Sequence, residues 1–492
     1  MTARLSASAK PGAGVVLPGY VPENHGCGIV HIGVGAFHKA HQAVYTDTAL
    51  ALAGGDWRIT GVSLRSADIA AALNPQDGRY VLLTRSADGD RARLIGSIAN
   101  VLVAPVAPDA VVAAIADAAT RIVTLTVTEK AYGIDRTTGG LDLRHEAIAH
   151  DLGRPDAPRG VIGFLVAGLG RRRETGAGPL TILCCDNLPE NGHILCRLVD
   201  TFARQIDPAL ADWIGQNVRF PSSMVDRITP AATDRTFADA ERISGLRDEA
   251  AVETEPFSQW IIEDDFAAGR PAWDEAGALF VASVSAYEKM KLRMLNGAHS
   301  LIAYAGFLAG YETVADAMRD AGLKRLVEHQ MKAAAATLPP VPGIDLETYR
   351  AELLARFSNP AIRHLTYQIA MDGTEKLPQR IGAPLAEAIH RNADREPFAF
   401  ALAAWMRYCM AVDETGQVYA LRDPREPVIA QAVEDAGRTP DRLYTNLIAI
   451  PGLFPAAIVG DAALRDLVVA RLSTMLEHGM AWAIETAAQS PA

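Results

Sequence analysis

Cysteine is scarce in this chain. Only Cys27, Cys184, Cys185, Cys196 and Cys409 occur, and no two form a C-x-x-C pair, which excludes a disulfide scaffold and points to a reducing compartment. Long apolar runs are also missing. Nothing approaches the roughly 18 consecutive apolar residues of a membrane helix, and the stretch from Met1 to Pro11 lacks the apolar core of an export signal. A cytoplasmic protein without a membrane partner is expected. Positive charge is not in excess: 47 Lys and Arg against 58 Asp and Glu leave −11, so no nucleic-acid partner is expected, although Arg171 to Arg173 could form a local basic patch. Internal repeats and low-complexity linkers are absent too. With 492 residues, 49% hydrophobic and 21% charged, the chain can hold two or more domains around large cores.

What is present begins with Gly28 to Gln42, which reads as a short buried strand, a glycine turn and an alanine-rich helix. In a dinucleotide-binding turn the first glycine permits the tight bend and the second lets the backbone approach the pyrophosphate, the roles open to Gly33 and Gly35. The third glycine of G-x-G-x-x-G would fall where this chain has His38. A second strand, 57–64, ends near Asp68, a carboxylate that could hold the ribose hydroxyls of NAD or could cap a helix; Arg65 beside it leaves room for NADP. Strands at 80–84, 92–96, 122–128 and 180–185, with helices at 110–120 and 160–173, give the alternation of a mostly parallel sheet. Asp186 and Asn187 follow the last of these strands, where ligands collect in such sheets, and equally fit a turn that caps the next helix. His31, His38 and His41 lie near Cys27 but match no common zinc spacing, and no metal is expected.

Beyond about residue 286 the composition turns helical. Helices are expected at 315–337, broken at Gly322, and at 345–357, 383–391, 397–411 and 462–488. The fold expected is an α/β Rossmann-type domain with a mostly parallel sheet, 1–285, and a mainly α-helical domain, 286–492. At the junction, Tyr287 to about Gly310 reads as one helix. At roughly 100° per residue from Lys291, Glu288 falls near 60°, His299 near 80° and Asn296 near 140°, with Lys291 and His299 about 12 Å apart along the axis. An extended molecule with several hydroxyls could touch each of these groups. A desolvated lysine can act as a general base, while Asn and His donate to a developing oxyanion, chemistry that suits alcohol oxidation. The same spacing fits a solvated polar face. Segment 359–380 reads as a helix ended by Asp372-Gly373 and a loop carrying Lys376 and Arg380.

Several of these blocks together resemble the mannitol dehydrogenase family, the long-chain polyol-specific dehydrogenases that include fructuronate reductases. The resemblance runs from Gly28 to at least Asp423. Its most specific motif, Lys-x4-Asn-x2-His, is Lys291, Asn296 and His299; supporting blocks are Ile-Gly-Val-Gly-Ala-Phe-His-Lys-Ala-His-Gln, Cys-Asp-Asn-Leu-Pro-Glu-Asn-Gly and Met-Val-Asp-Arg-Ile-Thr-Pro. The resemblance implies a metal-independent, NAD-dependent secondary-alcohol dehydrogenase. It implies Lys291 as acid/base, Asn187 and Asn296 on the reacting oxygen, His299 on a neighbouring hydroxyl and Glu288 relaying protons. Asp226 and Lys376 match substrate-pocket positions, and Gly33, Gly35, Phe37, His38, Arg65 and Asp68 fall in the cofactor blocks. Mannitol-oxidising members carry Arg where this chain has Gln368. The block from Arg363 to Arg380 resembles the fructuronate reductase branch, in which Arg363, Lys376 or Arg380 would meet a carboxylate. Against this, Gly61 to Asp68 is closer to the mannitol enzymes. The expectation is conversion of D-mannonate to D-fructuronate, with a mannitol, sorbitol or arabinitol dehydrogenase as the alternative and a silent NAD-binding sensor of sugar acids as a remote one. The oligomeric state stays open between monomer and small homo-oligomer.

Overall fold

In the computed structural model, residues 2–135 and 138–489 are described. The chain divides into two compact units, Met1–Ser285 and Ala286–Ala492.

The first unit is built on six parallel strands: β1 (Cys27–Ile32), β2 (Arg58–Ser63), β3 (Ile98–Val103), β4 (Ile122–Leu125), β5 (Leu180–Cys184) and β6 (Val218–Arg219). Their spatial order is β3-β2-β1-β4-β5-β6, the doubly wound Rossmann order, whose switch point lies between β1 and β4. Both faces are covered, as a parallel sheet requires. Val30 and Ile32 pack on one side with the helices Val161–Thr175 and Asn191–Ile206, while Ile29 packs on the other with the helix Gln42–Ala53. Alternate residues of one strand thus feed two cores.

Two sheet expectations change. The strand expected at 92–96 is Arg91–Ile95, which pairs antiparallel with Tyr80–Thr84 in a separate four-stranded sheet. The edge of the main sheet is instead β3, where Ala99 and Asn100 interrupt the β-branched pattern that marks the other strands. The strand begun at Ile122 stops at Leu125, because the backbone NH groups of Val127 and Thr128 turn to the Asp186 carboxylate, each at 3.0 Å, and Thr128 takes a positive φ of 78°. The basic patch at 171–173 does not form either. Arg172 is buried and donates to the carbonyls of Ile115, Asp117, Ala177, Gly178 and Pro179, and Arg173 pairs with Asp207.

The second unit is helical. The break expected at Gly322 lies upstream: Asp320 caps the helix Ala321–Ala336 by accepting from the NH groups of Gly322 and Leu323. The helix expected to 488 is interrupted at Gly479. The junction helix is not one regular helix. Ser285–Met290 and Gly297–Leu308 flank a π turn, Lys291–Asn296, so the uniform 100° spacing does not hold through it. Lys376 and Arg380 are not on a loop. They belong to Gly373–Leu377 and to a second π turn, Pro378–Gly382, which packs on the first. Among the described residues no helix is long and apolar enough to cross a membrane.

Gly297 sits where the two widened turns meet. Alanine normally favours a helix over glycine by about 1 kcal/mol, but here its Cβ would lie 2.9 Å from the Arg380 carbonyl oxygen. Overpacking of this kind costs about 1–3 kcal/mol, so the clash decides the sign. Gly297→Ala is expected to lower the melting temperature in calorimetry; a rise would mean that the second turn yields freely.

Candidate functional site

In the first unit the glycine turn leaves β1 at the switch point. Gly33 has φ +100°, and a Cβ there would lie 2.3 Å from the Thr126 carbonyl oxygen, so sterics demand glycine. Gly35 differs: it caps the helix Ala36–Ala40 without a side chain, and a Cβ would meet nothing closer than the Gly33 carbonyl at 3.8 Å. Glycine at 35 is therefore not explained by the protein's own packing, and the open space over the turn fits the backbone approach of a pyrophosphate. Asp68 is exposed at the first position of the helix Asp68–Leu73, whose cap is Ala67; the capping role considered for Asp68 is not the one it has. Arg65 is exposed in the same β2 loop, and Phe37 is half-buried against the His41 ring at 5.0 Å.

His38 has to be corrected. It is 0% exposed and stacks on His31 at 3.3 Å, so it supports the turn from beneath and offers no surface to a cofactor. His31 in turn bonds Thr124 Oγ1 at 2.8 Å and Thr126 Oγ1 at 3.0 Å, tying β1 to β4. Among the described residues no three His, Cys, Asp or Glu side chains are grouped as a metal site. Asp186 also faces inward: besides its two backbone donors it accepts from Tyr132 Oη at 2.6 Å, fastening the loop after β4 to the end of β5. Its neighbour Asn187 remains exposed at the carboxyl end of β5. Asp226 is buried at the end of the strand Ser223–Asp226.

In the second unit, Glu288, Lys291 and Asn296 are each 8% exposed and His299 6%, which excludes a solvated face. The π turn runs from Lys291 to Asn296 and is held by Arg293, which donates to the Thr337 carbonyl at 2.8 Å and its hydroxyl at 2.9 Å. His299 packs on Phe357 at 4.6 Å, and its buried Nε2 has no hydrogen-bond partner. Burial, followed by His364, Arg380, Arg356 and Lys291, holds this imidazole well below its usual range, so it is neutral. Lys376 donates to the carbonyls of Ile369 and Met371, and half-buried Arg380 reaches Ser300 Oγ at 3.5 Å, the outer limit of a hydrogen bond. Arg363 stands apart: 69% exposed and paired with Glu312, it faces outward, away from the role considered for it. Gln368 is exposed. Sequence reasoning passed over Arg356 and His364, both of which act on the His299 imidazole. Their spacing carries no signal that could have marked them.

The comparisons agree with this architecture. The family model of the mannitol dehydrogenase Rossmann domain matches residues 27–275, and that of the mannitol dehydrogenase C-terminal domain matches 283–475. A D-mannonate oxidoreductase of Escherichia coli K12 is 41% identical over 92% of this chain and 93% of its own. A mannitol 2-dehydrogenase of Phaeosphaeria nodorum is 40% identical over 85% of this chain and 75% of its own. The structure of Pseudomonas fluorescens mannitol 2-dehydrogenase in ternary complex with NAD and D-mannitol superposes with a TM-score of 0.90 at 36% identity, covering 99% of this chain and 100% of that one.

Two tests follow from the geometry. Gly35→Ala is expected to leave thermal stability unchanged within about 0.5 kcal/mol, since its Cβ meets open space, yet to weaken NADH binding at least tenfold in a fluorescence titration. The second concerns pH. Burial holds His31 down to about 3 and His364 to about 4, with His38 and His299 also well below the ordinary 6.5. These rings stay neutral in the fold and protonate near 6.5 when unfolded. Their contribution is complete above pH 6.5 and is lost as pH falls below it, each ring by up to about 1.4 kcal/mol per unit. Asp186 and Asp248, raised by burial, act in the opposite sense, where carboxyls titrate. The melting temperature is therefore expected to fall already between pH 6.5 and 5; a flat profile there would show that these rings do not stay neutral in the fold.

Proposed function

The chain belongs to the mannitol dehydrogenase family, and from that premise we propose that it is an NAD-dependent secondary-alcohol dehydrogenase interconverting D-mannonate and D-fructuronate. The observation that carries the reading is the burial of Lys291, Asn296 and His299 along one widened turn and the helix that continues it. Gly33 and Gly35 would hold the pyrophosphate of NAD and Asp68 its ribose, a carboxylate that repels the additional phosphate of NADP. When bound, NAD supplies the hydride acceptor for alcohol oxidation. In that direction Lys291 takes the proton of the reacting hydroxyl, and buried Glu288, three positions earlier, passes it toward solvent. The amide of Asn296 donates to the oxygen as it gains charge. Neutral His299, with an unpartnered Nε2, orients the neighbouring hydroxyl. Lys376 and Arg380 supply the positive charge for a carboxylate, in a segment where Gln368 replaces the arginine of mannitol-oxidising members.

A mannitol-type polyol dehydrogenase is the second reading, favoured by the block from Gly61 to Asp68 and by the superposition on the mannitol 2-dehydrogenase complex. The identities of 41% and 40% to the two kinds of relative do not choose between them. NADH oxidation without added metal, with D-fructuronate and D-fructose offered in parallel, is expected to favour fructuronate; preference for fructose would sink the sugar-acid reading. Lys291→Ala is expected to lower kcat about 10²–10⁴-fold while NADH affinity stays, the range of a lost general acid/base. Undiminished turnover would remove Lys291 from the chemistry.

A further inference from the structure

A cavity of about 400 Å³ lies within the second unit, between the helices Ala321–Ala336, Ala383–His390, Glu396–Tyr408 and Met480–Gln489. No residue given a role in the proposed reaction lines it. Its walls are largely apolar, with Leu326, Ala333, Phe400 and Ala487 among them, and Leu326 and Phe400 are buried. Small-molecule sites are commonly about 300–1,000 Å³, apolar, and furnished with a few convergent polar groups, so the space is of ligand size.

The charged groups at this cavity differ in what they already hold. Glu396 pairs with Arg471, and Asp394 accepts from the Glu396 NH at 2.9 Å where that helix begins. Arg391 donates to Glu387 at 2.6 Å and to the Ala336 carbonyl at 2.9 Å. His329 and Lys332 lie three positions apart on one helix face, and neither makes a hydrogen bond or ion pair with any described residue. The groups left to meet a ligand are thus an ammonium and an imidazole. They suit an anionic headgroup whose apolar tail rests on Leu326 and Phe400.

The cavity also reaches the support of the turn that carries Lys291. Thr337, in its wall, closes the helix Ala321–Ala336 and accepts both bonds from Arg293, which belongs to the turn Lys291–Asn296. The preceding carbonyl, that of Ala336, is the one held by Arg391. A ligand in the cavity therefore packs on the helix end to which the turn is fastened. We propose that this cavity is an effector site for a small monoanion with an apolar tail, in chemical class a medium-chain carboxylate, and that its occupancy steadies the turn Lys291–Asn296 through Thr337 and Arg293.

The test uses the full chain with saturating NAD, so that the dinucleotide site is filled, and calorimetric titration with octanoate, octylamine and octanol, which share a tail and differ in headgroup charge. Octanoate is expected to bind at one site at least about tenfold more tightly than the other two, and to lose at least about tenfold in Lys332→Glu, an exposed position at which folding is not at stake. Ala333→Phe, which fills the cavity, is expected to abolish binding. Hydrogen exchange followed by mass spectrometry is expected to slow in the peptide carrying residues 291–297 when octanoate is bound, and to lose that response in Arg293→Gln while binding persists. Octanoate that binds no better than octylamine, or equally well to Lys332→Glu, would overturn the site. Tight binding without slower exchange at 291–297, or slowing that survives Arg293→Gln, would keep the site and overturn its link to the turn. None of these readouts depends on which sugar the enzyme reduces, so their failure leaves the dehydrogenase reading standing.

Discussion

The contact on which the helical unit's chemistry depends is that of two widened turns against each other, Lys291–Asn296 and Pro378–Gly382. A π turn admits one more residue per hydrogen-bonded ring than an α turn, and it sits in a helix only where packing favours it over the regular ladder. Here the packing is visible. Glycine at 297 lets the helix close on the Arg380 backbone, and Arg293 ties the first turn to Thr337. One consequence is geometric. Lys291 and Asn296 are separated by a wide turn rather than an α turn, and His299 follows in regular helix, so the three are not presented with ordinary helical spacing.

The second consequence is electrostatic. The two turns bring Lys291 and Arg380 to bear on one imidazole, and burial keeps that imidazole uncharged. The first unit uses burial in another way. His31 and His38 stack beneath the glycine turn, and Asp186 holds the loop after β4, so the polar groups behind the turn stiffen it while Gly35 keeps its outer side clear. In both units the groups hidden inside support those left to meet a ligand.

How much of this was legible depended on the kind of signal. Buried parallel strands were plain in β-branched runs such as Ile122 to Leu125, and the glycine turn in Gly33 and Gly35. The edge strand Ile98–Val103 was not, since Ala99 and Asn100 break its pattern and it pairs along one side only. Lys291, Asn296 and His299 could be picked out together because they lie in one segment. The π turn carrying two of them could not, because nothing in Lys-Leu-Arg-Met-Leu-Asn distinguishes a widened turn from an α turn until Gly297 meets Arg380. The resemblance named Asn187 against the local turn reading, but it also put His38 with the cofactor, which its complete burial rules out.

The same reasoning explains why overall similarity stops short of the substrate. A D-mannonate oxidoreductase and a mannitol 2-dehydrogenase stand at nearly equal identity to this chain, 41% and 40%. Choice between acid and polyol needs only a few charges placed at one end of the molecule, where a carboxylate replaces a hydroxymethyl group. In this chain residues 356–380 hold Gln368, which is exposed, Arg363, turned outward to Glu312, and Arg356, Lys376 and Arg380. A handful of positions among several hundred hardly moves an identity score, yet a buried charge left without its counter-ion costs about 3–5 kcal/mol, about two to four orders of magnitude in preference. Specificity in such a fold is therefore set where sequence comparison is least sensitive.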